Sequence, residues 1–284
     1  MSIAALPAEA CDCHMHVYED AYPLASTATF KPPHAPASAY REVQRALGMR
    51  RAVVIQPTGY AFDNRCTLAA MAEIGPQTRG IVVVPPNTVA AELERLHRLG
   101  VRGVRYMMLP GGVLPWSGLE ATAAAIEAFD WHVDLQLDGR ELPLHEAMLL
   151  RLPGRLVVDH VGRFQGPVEP DGPALSTLRR LLDGGRCWVK LSAPYESSRS
   201  GAPAYDDVAW IARLLAEHYP ERCLWASNWP HPNQKPVPAD TALLAWALAC
   251  MGDGSAQRKI LVDNAAELYG FPRSKQAGEA GVAT

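Results

Sequence analysis

The chain has 284 residues, 48% hydrophobic and 20% charged, a globular balance with ample material for a large core that excludes a disordered chain, a collagen or a coiled coil. Lysine plus arginine number 27 against 30 aspartates and glutamates, and the resulting charge of −3 offers no general attraction for nucleic acid or an anionic membrane. Small clusters of arginine could still serve a small anion.

In chain order, strand-like apolar runs alternate with helical patterns. Strands are predicted at Ala10–His16, Arg51–Pro57, Arg79–Pro85, Val101–Met107, His132–Asp138, Arg155–Val161, Cys187–Ala193 and Cys223–Trp229. The helical patterns between and after them are Ala39–Leu47, Thr67–Ile74, Ala90–Leu99, Leu119–Phe129, Leu144–Leu149, Ala174–Leu182, Asp206–His218 and Thr241–Met251. Several strand runs are continuous Val/Ile/Leu, as suits strands covered on both faces. Most helical stretches repeat apolar residues at three- and four-residue steps, and Gly48, Gly75, Gly100 and Gly184 stand where a helix C-cap takes glycine. Strands and helices alternating in this way predict an α/β protein, a (β/α)8 TIM barrel, as a single domain over residues 1–272 with a frayed tail over 273–284. A doubly wound open sheet is the alternative, but no GxGxxG or GxxxxGK[ST] follows any strand.

The six cysteines, Cys11, Cys13, Cys66, Cys187, Cys223 and Cys250, form no CxxC pair. In a chain of this length they read as reduced, buried thiols of a cytoplasmic protein, not as a disulfide framework or a structural zinc site. The sequence reads without a signal peptide or a membrane span. Its helices show no diagnostic apolar patch, so no oligomeric state is specified.

In a barrel, function gathers at the C-terminal strand ends. Those ends carry His14, His16, Gln56, Arg105, Gln136, His160, Ser192 and Asn228. Alternation predicts that Asp12, His14 and His16 share one face of the first strand, and Asp134, Gln136 and Asp138 one face of the fifth. His-x-His presents two imidazoles in one direction, a metal-ligand spacing, although two structural histidines would look the same. His160 adds a third strand-end imidazole. Asp159, of opposite parity, is expected to support the helix layer. Lys190 shares parity with Trp188 and Ser192 and so faces the barrel, where it could pair with an acid or stabilise a developing charge. His34, His97, His132, His145 and His218 read as surface or structural.

The motifs CDCHMH, VVIQP with DNR, RGVRYM, VVDHVGRF, WVKLSAPY and ERCLWASNWPHPN resemble the amidohydrolase superfamily, in its lactone-processing branch, over residues 8 to 271. That branch includes pyrone-dicarboxylate lactonases, sugar-acid lactonases and galactarolactone isomerases. LPGG at 109–112, LDG at 137–139 and the loop YESSRSGAPAYDDV at 195–208 resemble the isomerases most.

One departure bears on the chemistry. The resemblance implies a strand-8 aspartate as metal ligand or base in the hydrolases, and this chain has Asn228, whose amide is a poor base and a weak ligand. The resemblance also implies a branch that works without metal, so no cofactor is expected; if a divalent metal such as zinc is bound, its ligands are His14, His16 and His160. The expected substrate is a small carboxylated lactone, and the expected reaction is isomerisation of a sugar-diacid lactone between six- and five-membered rings. Hydrolysis of such a lactone, a metal-dependent hydrolase and a sugar-acid binder without turnover are the alternatives. The catalytic set is then His14, His16, His160 and Asn228. Gln56, Arg105, Gln136, Arg163, Tyr195 and His231 would hold the substrate, with both arginines free for a carboxylate unless Asp138 or Asp159 pairs with them. Tyr195, Ser197 and Ser198 could bond sugar hydroxyls or simply build a turn, and Asp63 with Asn64 could cap the following helix or touch substrate.

Overall fold

The computed structural model describes residues 6–272, so the tail expected over 273–284 lies outside the described residues. Eight parallel strands follow one another in sheet order: β1 (Cys11–Met15), β2 (Arg51–Ile55), β3 (Thr78–Val82), β4 (Val101–Met107), β5 (His132–Gln136), β6 (Arg155–Val158), β7 (Cys187–Leu191) and β8 (Cys223–Trp225). The barrel closes just beyond β8, where Asn228 N–H donates to the His14 carbonyl and His16 N–H to the Trp229 carbonyl, each at 2.8 Å. The eight-stranded barrel is thus present and the open sheet is not.

Helices α1 (Ala37–Leu47), α2 (Arg65–Ile74), α3 (Ala90–Arg98), α4 (Leu119–Glu127), α5 (Leu142–Arg151), α6 (Pro173–Asp183), α7 (Asp206–His218) and α8 (Asp240–Cys250) form the outer layer. Glycine closes α1, where Gly48 takes φ 72°. After α6 the left-handed residue is Gly185 at φ 73°, one position later than the sequence suggested, because the helix runs on through Asp183 and Gly184 stays right-handed.

Two apolar layers result. Leu, Val and Ile side chains pack between the strands and the outer helices. Inside the barrel, Cys11, Cys13, Val53, Ile55, Ile81, Val157, Trp188 and Leu224 meet the C-terminal helix α10 (Asn264–Tyr269), reached through α9 (Gly254–Arg258) and a π-helical turn (Lys259–Asp263). Tyr269 and Phe271 belong to this inner cluster and cover the barrel floor. All six cysteines are buried and free. No described helix is long and apolar enough to cross a membrane.

Candidate active site

Alternation fails in two places, and both failures shape the site. The β1–β2 register shifts between Asp12 and Met15, so Cys13 and His14 both lie on the barrel side while Asp12 turns outward to α1. Asp12 accepts from the Tyr40 hydroxyl at 3.0 Å and from the Ser227 hydroxyl at 2.6 Å; it does not share a face with His14 and His16, as simple period-2 counting predicts. The second failure ends β6. Asp159 continues the inward face of Val157, and His160 and Val161 both take φ 55°, a left-handed turn that brings the His160 ring inward as well. Asp159 is therefore fully buried inside the barrel, not in the helix layer.

A cavity of about 220 Å³ opens at the C-terminal strand ends, lined by His16, Arg105, Gln136, His160, Arg163 and Asn228 together with residues of the loops above. Six of the residues singled out from sequence thus meet at one surface. The other four do not line it. His14 lies behind His16, with their Nε2 atoms 3.2 Å apart. Gln56 has its amide committed to the Ala61 and Asp63 carbonyls and accepts from the Thr67 hydroxyl. Tyr195 and His231 stand behind Asn228. Asp138 leaves the β5 face to cap the Arg140 N–H and pair with the Arg140 guanidinium, and Asp63 pairs with Arg65.

The catalytic candidates are held from behind. His160 Nδ1 is 2.9 Å from the Ser192 hydroxyl, and burial lowers the ring to about 4, so it is neutral near pH 7. Burial likewise brings His16 down to about 3, with its Nδ1 2.9 Å from the Ile55 carbonyl. Asn228 donates to the Tyr195 hydroxyl at 2.9 Å, Tyr195 lies 2.9 Å from His231 Nδ1, and His231 Nε2 lies 3.0 Å from Asp240.

The two arginines differ. Arg163 pairs with Glu196 at 3.2 Å. Arg105 is buried and donates to the Gln56 carbonyl at 2.9 Å and to Gln136 Oε1 at 2.6 Å, and among the described residues no carboxylate lies within ion-pair range of it. Asp159 is instead the partner of Lys190.

Beneath the cavity floor lies a group that strand parity only hinted at. Lys190 donates to Asp134 Oδ2 at 2.6 Å and to His14 Nδ1 at 3.0 Å, with Asp159 Oδ1 2.9 Å away, all fully buried. Burial and the nearby Asp159 push Asp134 up to about 7. Burial would also raise Asp159, but Lys190 and then His14 outweigh it and keep it well below its usual range. His132, also inside the barrel, packs edge-on against Tyr269 at 5.3 Å and plays a structural part.

His14, Asp159 and His160 bring donor atoms within 4.8 Å of one another, a group of metal-ligand type among the described residues. Two of its members already face the Lys190 ammonium at 3.0 Å or less, so an ion sharing them would meet a positive charge at contact distance. The side chains as arranged do not fit a divalent metal.

A family model described as Amidohydrolase matches residues 11–271. The chain is 36% identical over 270 residues to the D-galactarolactone isomerase of Agrobacterium fabrum, covering 93% of this chain and 92% of that protein. It is 33% identical over 277 residues to the 2-pyrone-4,6-dicarboxylate hydrolase of Comamonas testosteroni, covering 93% and 91%. An apo crystal structure from Agrobacterium tumefaciens superposes with a TM-score of 0.90 at 36% identity, over 95% of this chain and 98% of that one. The chain belongs to the amidohydrolase family, in the branch whose enzymes isomerise or hydrolyse lactones.

Proposed function

We propose that this enzyme isomerises a carboxylated sugar-diacid lactone between six- and five-membered rings by intramolecular acyl transfer, without a metal. The observation that carries the reading is Asn228 just beyond β8, in a cavity whose one lining carboxylate among the described residues, Glu196, is already paired with Arg163. A water attacking the lactone finds no free carboxylate base there. A hydroxyl of the substrate needs less help, because tethering gives it a large effective concentration at the ring carbonyl.

His160 is the base in this scheme. Its ring is neutral, its Nδ1 is held by Ser192, and Nε2 is left to take the proton of the attacking hydroxyl. The carbonyl oxygen gains negative charge as the tetrahedral intermediate forms, and the second N–H of the Asn228 amide can donate to it. Collapse expels the original ring oxygen, which takes back the proton, so no atom is gained or lost. Arg105, with no carboxylate partner among the described residues, binds the free carboxylate of the substrate.

Product analysis by NMR tests this. Purified enzyme given a six-membered sugar-diacid lactone should yield the five-membered lactone ahead of the open diacid. Open diacid as the only product would replace isomerisation with hydrolysis, the activity named for the Comamonas relative.

A further inference from the structure

The buried Lys190 group inside the barrel has a consequence for the two histidines of β1. A histidine that binds metal through Nε2 almost always donates its Nδ1–H to a carboxylate or carbonyl, which leaves the Nε2 lone pair for the ion. His16 meets that pattern, since the Ile55 carbonyl 2.9 Å from its Nδ1 can only accept. Its Nε2 is therefore a bare acceptor when the ring is neutral.

His14 has the opposite partner. The ammonium of Lys190, 3.0 Å from His14 Nδ1, can only donate. The competing acceptor, Asp159, lies farther off, 3.3 Å from the same nitrogen, and its Oδ1 is 2.9 Å from the Lys190 ammonium. Nδ1 of His14 is thus an acceptor, its proton sits on Nε2, and Nε2–H points at the bare Nε2 of His16 3.2 Å away. Lys190 cannot swing aside, because it is fully buried and its other contacts, Asp134 and Asp159, are two carboxylates.

We propose that Lys190 sets the tautomer of His14 and thereby makes the His-x-His pair an internal hydrogen bond in place of a metal-binding pair. The positive charge that a divalent ion would supply to this group is built into the chain as the ammonium. This assignment rests on the metal-free part of the proposed function and not on the identity of the product. It makes Lys190 a positioning residue, two shells from the substrate, that acts through His14 on the His16 ring lining the cavity.

The test is the tautomeric state itself. Protein labelled with ¹⁵N-histidine should show, in long-range ¹H–¹⁵N correlation spectra at neutral pH, His14 protonated on Nε2 and His16 on Nδ1. One equivalent of zinc should leave both patterns in place. In Lys190→Met, the sole remaining partner of His14 Nδ1 is the Asp159 carboxylate, so the His14 proton should move to Nδ1. The two bare Nε2 atoms should then take up zinc about 10–100-fold more tightly than the wild type, the size of outer-shell effects on metal-bound histidine. Lys190→Met with Asp134→Asn removes one charge of each sign and serves if the single variant fails to fold. The proposal is overturned if wild-type His14 carries its proton on Nδ1, or if wild type and variants bind zinc equally at His14 and His16. Open diacid as the sole product with His14 protonated on Nε2 would end the isomerase reading and leave this assignment standing.

Discussion

The side-chain amide of Asn228 donates to the hydroxyl of Tyr195 at 2.9 Å, and this contact orients the amide that enters the cavity just beyond β8. The direction is fixed by what lies behind it. Asp240 accepts from His231 Nε2, His231 Nδ1 accepts from Tyr195, and Tyr195 accepts from Asn228. Asn228 also sits at φ 62°, a left-handed conformation that asparagine and aspartate both tolerate. Asn228→Asp should therefore keep the backbone and convert a donor into a base. The expected result is a rise in open diacid relative to lactone isomer, read by NMR of the product mixture. An unchanged product ratio would place Asn228 outside the chemistry.

His160 carries the proton in the proposed transfer. His160→Gln keeps a polar side chain of similar length and removes the base, so kcat should fall by roughly 10²–10⁴-fold, the usual worth of a positioned general base. Fluorescence-monitored unfolding of the same variant should show a folded protein. A loss under about fivefold would move the role elsewhere.

Arg105 answers to the charge of the substrate. Losing a charge-assisted hydrogen bond costs about 1.5–3 kcal/mol, so Arg105→Met should lower kcat/KM by roughly 10–150-fold, mostly through KM. A substrate esterified at its free carboxylate gives the control. It should react equally with wild type and variant; an equal fall on both substrates would mean that Arg105 only supports Gln56 and Gln136.

Much of this is legible in the sequence. Eight apolar runs at regular spacing place the strands, and their ends name five side chains that line the cavity, His16, Arg105, Gln136, His160 and Asn228, with Arg163 just past one of them. The remainder depends on geometry that period-2 counting does not contain. A register shift in β1 turns Asp12 away from His14, and a left-handed turn at His160 lets two consecutive residues, Asp159 and His160, both face inward. The Lys190 group needs β1, β5, β6 and β7 at one height across the barrel, which strand parity narrows to a face but not to a partner. Tyr195 and His231, expected to hold the substrate, stand one layer back, because the chain turns left-handed at Asn228 and His231 and puts Asn228 in front.

The loop after β7 supplies a pH dependence. Asp207, at the start of α7, accepts from the hydroxyls of Ser198 (2.5 Å) and Ser200 (2.7 Å) and from the Arg199 N–H (2.6 Å). Burial pushes its carboxyl up, but these donors outweigh it and bring it from 3.8 down to about 2. A lowered carboxylate stabilises the fold fully above its unfolded value and loses that contribution as pH falls through its folded one. Loop amides over 198–201 should therefore keep their hydrogen-exchange protection down to about pH 4 and lose it toward pH 2. Asp207→Asn should show weakened protection at neutral pH, with the barrel strands unaffected. Protection independent of both pH and the substitution would remove Asp207 as the organiser.

Asp12 joins stability to the site. Its carboxylate is fully buried and accepts from the Ser227 N–H at 2.9 Å, the Ser227 hydroxyl at 2.6 Å and the Tyr40 hydroxyl at 3.0 Å. It therefore ties β1 to α1 and to the residue just before Asn228, across the seam where the barrel closes. Burial raises its carboxyl to about 6, with the Ser227 bonds holding it lower than burial alone would. Asp12→Ala strands four buried donors together, those three and the His14 N–H at 3.3 Å, and breaking such a network should cost about 3–5 kcal/mol by denaturant unfolding. Asp12→Asn keeps the shape and one acceptor oxygen but adds an NH2 that faces donors, so its cost should be smaller yet real, about 1–3 kcal/mol. Because Ser227 precedes Asn228, both variants should also raise the fraction of open diacid or slow turnover beyond what the lost stability explains, measured well below the unfolding midpoint. Full activity and unchanged stability in Asp12→Ala would show that the seam holds without it.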